Sequence, residues 1–96
     1  MKINITAIVK SKPETLQETK KLLAGMAVDS AKEEACIQYD LHQDNENPTL
    51  FLFHEIWENE AGLALHETQS YFQNFKARAS ELLADPIIVY KTNKIV

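Results

Sequence analysis

The run Leu50-Phe51-Leu52-Phe53-His54-Glu55-Ile56-Trp57 constrains this chain more than any other segment. In a strand successive side chains point to opposite faces, so Phe51, Phe53, Glu55 and Trp57 share one side and Leu50, Leu52, His54 and Ile56 the other. Both sides are largely apolar and both need cover. A chain of 96 residues is expected to form one domain, residues 1–96, whose helices can cover one face. The other face then requires a second subunit, and the 45% hydrophobic content fits apolar surface left over for a partner. A homodimer is the expectation.

The flanking segments supply the remaining elements. Residues 3–9 alternate, with Ile3, Ile5, Ala7 and Val9 on one face and Asn4, Thr6 and Ile8 on the other, which predicts a strand. Ser11 and Glu14 have capping-box spacing and Pro13 suits a first helical turn, so a helix is expected to run to about residue 32. Its apolar stripe is Leu16, Leu23, Met26 and Ala27, with Leu22 beside it. Residues 36–43 alternate again, and Asp44-Asn45-Glu46-Asn47-Pro48 is a turn signal that makes this strand and residues 50–57 a hairpin.

Asn59 can cap a short helix with Leu63, Leu65 and His66, and Thr68 or Ser70 can open another carrying Tyr71, Phe72, Phe75, Ala79, Leu82 and Leu83. Asp85-Pro86 stops it, and the β-branched run 87–96 closes the sheet. The order β-α-β-β-α-β is the split βαβ arrangement of an α+β, ferredoxin-like domain with a four-stranded antiparallel sheet.

Charge and motif content narrow the function. A net charge of −4 without a cluster of cations beyond Lys20-Lys21 disfavours nucleic acid. The absence of a long apolar run argues against a membrane span or signal peptide, and a cytoplasmic location is expected. Cys36 is the only cysteine, which leaves either a small buried residue or a thiolate nucleophile and no internal disulfide. His42, His54 and His66 lack metal-ligand spacing, and no phosphate-binding glycine motif occurs, so neither a metal nor a nucleotide or flavin cofactor is expected.

One constellation can carry chemistry: Glu55-x-Trp57, His66 nine residues after the tryptophan, then Ser70-Tyr71-Phe72 and Phe75. Folded together they would place a proton carrier and a carboxylate in an aromatic cleft suited to a flat small molecule. The plainer alternative is that the aromatics are core and that His66 and Glu55 cap or pair locally.

The order Cys36-x-x-Tyr39, Asn47-Pro48 in a loop, Phe53-x-Glu55-x-Trp57, Leu65-His66 and Ser70-x-Phe72-x-x-Phe75 resembles the antibiotic-biosynthesis-monooxygenase domain along the whole chain. The resemblance implies a dimeric α+β barrel that oxidises quinol-like or polyphenolic small molecules with dioxygen and no cofactor. Carried over by position, it implies that His66 is the proton acceptor, Trp57 a pocket wall with a polar N–H, and Asn4 a donor to an oxygen anion. Tyr39, Phe53, Glu55 and Phe72 would contact the substrate.

Related branches imply other activities. Haem-degrading relatives carry a ligating histidine in the later helix, where this chain has Ala77. Another branch resembles isomerases of a phosphorylated signalling molecule, for which Lys76 and Arg78 are the available cations. A non-catalytic ligand-binding or stress-response dimer is the remaining alternative.

Overall fold

Strand β1 (Ile3–Lys10) buries every second residue, and Ile3, Ile5, Ala7 and Val9 form the floor of the core in the computed structural model, which describes residues 1–96. A single 3-10 turn at Pro13–Thr15 leads into α1 (Leu16–Ser30). Strands β2 (Cys36–Gln43) and β3 (Leu50–Trp57) follow, then α2 (Glu60–Glu67), α3 (Ser70–Leu82) and β4 (Ile88–Thr92). The strands lie in the order β2-β3-β1-β4 and all three pairings are antiparallel. This is the ferredoxin-like α+β fold.

Register fixes which side chains meet the helices. Ile3 pairs with Trp57, Ile5 with Glu55, Ala7 with Phe53 and Val9 with Phe51, so these eight share the covered face. Leu23 and Met26 of α1 and Phe75 and Leu82 of α3 close over them. On the opposite face Ile8, Leu50, Leu52, His54 and Ile56 are only half-buried, and Ile88 and Tyr90 of β4 are exposed. No helix packs there, so the chain presents an open apolar sheet face. No helix is long and apolar enough to cross a membrane.

Local chemistry explains most boundaries. Asp44 Oδ2 accepts the N–H of Asn47 at 2.7 Å and Asn47 Oδ1 accepts that of Thr49 at 3.2 Å, which folds the hairpin loop on its own side chains. Asn59 caps α2, its Oδ1 accepting the Gly62 N–H at 2.8 Å.

Three expectations are corrected. The Ser11–Glu14 capping box does not form; Ser11 is buried against Thr19, Oγ to Oγ1 2.8 Å, and Thr15 Oγ1 donates to the Leu82 carbonyl at 2.8 Å, tying the start of α1 to the end of α3. The helix ends at Ser30 instead of residue 32, because Ala31 and its successors tighten into turns before β2. The last strand covers Ile88–Thr92 instead of 87–96: Thr92 pairs with Asn4, at the start of β1, so residues 93–96 have no strand to extend along.

Candidate active site

A cavity of about 300 Å³ lies between the covered sheet face and the helices. Its floor is Ile5, Ala7, Val9, Tyr39, Phe53 and Glu55, its roof Met26, Leu63, His66, Phe72 and Phe75, and Ile87 and Val89 flank it. Glu67 and Lys76, both exposed, stand at the rim. Most of the lining is apolar, and the few polar groups are therefore placed to orient a bound molecule.

His66 is the best-defined of these groups. The last turn of α2 carries it inward, and it is 2% exposed. Its Nδ1 lies 2.7 Å from Glu33 Oε2, and the same oxygen accepts a hydrogen bond from the Tyr71 hydroxyl. A carboxylate only accepts, so the shared bond puts the proton on Nδ1 and leaves Nε2, which has no partner in the chain, with its lone pair free. The ring is wedged among aromatics: Trp57 at 4.6 Å between centroids, Phe72 at 5.0 Å and Tyr39 at 5.6 Å. Contacts from β2, β3, α3 and the turn before β2 hold one imidazole plane.

Glu55 is the second polar group on the cavity wall. Trp57 Nε1 donates to its Oε1 at 2.9 Å. Burial pushes its carboxyl above the usual range, while the Trp57 hydrogen bond and the positive charge available on His66 draw it back down. Burial also raises the Tyr39 phenol, so Tyr39 stays neutral and packs against Phe53 at 5.4 Å.

Of the residues singled out from sequence, His66, Glu55, Tyr39, Phe53 and Phe72 come together in this cavity. Two do not line it. Trp57 is fully buried behind the lining and spends its N–H on Glu55, so it supports the wall and leaves no polar edge for a ligand. Asn4 pairs with Ile56 in the register and therefore lies on the open sheet face, away from the cavity of its own chain. Arg78 also lies outside, its guanidinium held by Glu18 and Glu81 in the groove between α1 and α3; Lys76 is the one cation at the cavity.

Glu33 was not legible beforehand, since it sits in the polar stretch Lys32-Glu33-Glu34 and its role depends on α2 and α3 folding over it. No cluster of three or more His, Cys, Asp or Glu side chains is arranged to hold a metal ion. His42 and His54 stand together on the open face, ring centroids 5.3 Å apart.

With this geometry in view, comparison with known proteins places the chain. The family model described as antibiotic biosynthesis monooxygenase matches residues 3–78, which include every polar group of the cavity. The chain belongs to that family. YcnE of Bacillus subtilis (strain 168), provisionally named a monooxygenase, is 33% identical over 90 residues, which cover 94% of this chain and 95% of YcnE. The Synechocystis protein sll1783 is 34% identical over 91 residues, 93% of this chain, and the chain spans 62% of that longer relative. Among solved structures, PA3566 from Pseudomonas aeruginosa superposes with a TM-score of 0.93 at 25% identity, over 99% of this chain and 95% of its own.

Proposed function

We propose that this antibiotic-biosynthesis-monooxygenase family member is a cofactor-independent monooxygenase that oxidises a quinol-like or polyphenolic small molecule with dioxygen. One observation carries the reading: a buried imidazole with Nδ1 tied to Glu33 and Nε2 free, set in the wall of an aromatic cavity of about 300 Å³. Nε2 of His66 takes the first proton from the substrate, and the resulting anion reduces dioxygen. Phe53, Phe72 and Tyr39 hold the ring system flat, Trp57 braces His66 from behind, and Glu33 with Tyr71 fixes the tautomer of the base.

The working unit is a homodimer. Support comes from the open sheet face, where Ile8, Leu50, Leu52 and Ile56 would otherwise remain in contact with water.

Oxygen uptake by the purified, chelator-treated protein tests the activity, with 1,4-naphthohydroquinone and anthrone as probes. Catalysed uptake that drops by about 10²–10⁴-fold in His66→Ala is the expected result. Uptake equal to that of the buffer control removes the monooxygenase reading. Uptake indifferent to the substitution removes His66 as base.

A further inference from the structure

Glu55 is poorly placed for a permanently charged carboxylate. It is 7% exposed, faces a mostly apolar cavity and has no cation in salt-bridge contact. Its nearby donors are both neutral, the Trp57 indole N–H at 2.9 Å and the Tyr39 hydroxyl, and they cannot compensate a full buried charge. An N–H donor is met equally by a carboxylate or by the carbonyl oxygen of a neutral acid; burial in a mostly apolar wall without a cation favours the neutral acid, with Oε1 as its carbonyl oxygen. The acidic proton then belongs on Oε2, which makes no hydrogen bond within the chain.

Glu55 and His66 reach the same cavity from different sides, one from β3 and the other from α2. A single indole links them: Trp57 stacks on the imidazole at 4.6 Å and 38°, and its N–H holds Glu55 at 2.9 Å. The geometry points to Glu55 as a second catalytic residue, the acid that protonates the oxygenated intermediate after His66 has removed the first substrate proton. This inference rests on the monooxygenase reading above.

The chemistry balances for a substrate AH₂ whose two hydrogens are on the carbon to be oxidised. His66 removes one proton and leaves AH⁻. Dioxygen takes one electron from AH⁻, and the radical pair combines to form a C–O bond, giving AH–OO⁻. Glu55 Oε2–H protonates the terminal oxygen, giving AH–OOH and a carboxylate. The carboxylate then takes the remaining C–H proton while that electron pair forms C=O and the O–O bond breaks. The departing hydroxide takes the proton from the His66 imidazolium and leaves as water. The sum is AH₂ + O₂ → AO + H₂O, and both residues return to their starting forms.

Timing follows from electrostatics. Burial holds the Glu55 proton in place at rest, and positive charge on His66 loosens it. The imidazolium made in the first step therefore strengthens the acid needed in the next. Glu33 and Tyr39 also face this pair, and both act on Glu55 less strongly than burial does.

The test is Glu55→Gln, which keeps an acceptor for Trp57 and the side-chain shape but has no proton to give. Anaerobic binding of anthrone should still produce the absorbance of its anion in Glu55→Gln, as in wild type, and lose it in His66→Ala. Aerobic turnover to AO should fall by about 10²–10⁴-fold in Glu55→Gln, with superoxide escaping the radical pair instead, so that hydrogen peroxide and the dimer HA–AH appear (2 AH₂ + O₂ → HA–AH + H₂O₂). Unchanged turnover would overturn the role of Glu55 and leave the monooxygenase reading standing. No oxygen uptake by wild type would remove both. Should Glu55→Gln not fold, infrared spectra of the wild type decide: a protonated-carboxyl band that bleaches when oxygen is admitted to the anthrone complex is expected, and its absence overturns the proposal.

Discussion

The two glycines of this chain sit in helices, and replacing each by alanine should move stability in opposite directions. Gly25 lies on the exposed side of α1, where an added Cβ would meet no heavy atom within 4 Å. Alanine gains about 0.8–1.0 kcal/mol over glycine in a helix interior, which for a domain of this size raises Tm by about 4–8 °C. Gly62 is buried in the first turn of α2, where an added Cβ would stand 2.3 Å from Ala35 Cβ. That methyl is fixed to backbone, so one segment must move by more than about 1 Å to restore normal contact.

Overpacking of this kind costs about 1–3 kcal/mol and the helix-propensity gain offsets up to about 1 kcal/mol, leaving a net loss of up to about 2 kcal/mol and a Tm lower by up to about 16 °C. Circular-dichroism melts of the two variants beside wild type give both signs in one experiment. Ala35→Gly combined with Gly62→Ala removes the opposing methyl and should recover most of the loss. The contact also spaces the chemistry, because Ala35 follows Glu33 by two residues and Gly62 precedes His66 by four. Oxygen turnover should therefore fall in Gly62→Ala and return in the double variant. A Gly62→Ala protein that melts at or above the wild-type temperature would refute the reasoning.

Three further outcomes are expected. Leu52→Lys places a charge at the centre of the open sheet face and should convert a dimer to a monomer in analytical ultracentrifugation; an unchanged mass would mean that this face is not the interface. Because the Glu55 carboxyl is raised in the folded state, the chain loses stability as pH climbs from the usual carboxylate range to the folded value, by about 1.4 kcal/mol for each pH unit between them. Glu55→Gln lacks this loss, so its advantage in urea unfolding should grow over that window and then level off; a difference that is flat with pH would contradict the shift. Burial, with the nearby carboxylate of Glu33, pushes the Cys36 thiol up from 9.0 to about 11. Iodoacetamide should then label it about 100-fold more slowly at neutral pH than a free thiol, and labelling at the free-thiol rate would refute that environment.

Much of the fold was legible because strand alternation is local. Phe51, Phe53, Glu55 and Trp57 fall on one face by period alone, and Asn59 marks the start of α2 by its capping chemistry. Errors arose where tertiary partners override local signals. Ser11 has the spacing of a cap but is drawn into a buried bond with Thr19, and residues 93–96 have strand composition but no neighbour to pair with. The site divides in the same way. His66, Glu55 and Phe72 stood out as chemical types at suggestive spacings, Tyr39 and Phe53 came from the family resemblance, and the fold gathers all five around one cavity. His66 and Tyr71 share one carboxylate oxygen of Glu33, which lies 33 and 38 residues before them, a relation that no local pattern encodes. Asn4 illustrates the reverse: its suggested role came from resemblance, and the register of β1 turns it to the open face.

Trp57 is the only tryptophan of the chain, and it is sealed from water between the two ionisable groups of the cavity wall. An imidazolium stacked on an indole quenches its emission, whereas a neutral imidazole does so far less. The intrinsic fluorescence of this protein is therefore a built-in optical gauge of proton position, needing no label and free of background from a second indole. Stopped-flow traces at a single wavelength would follow the charging and discharging of His66 during turnover, so the order of proton movements can be timed in the unmodified protein.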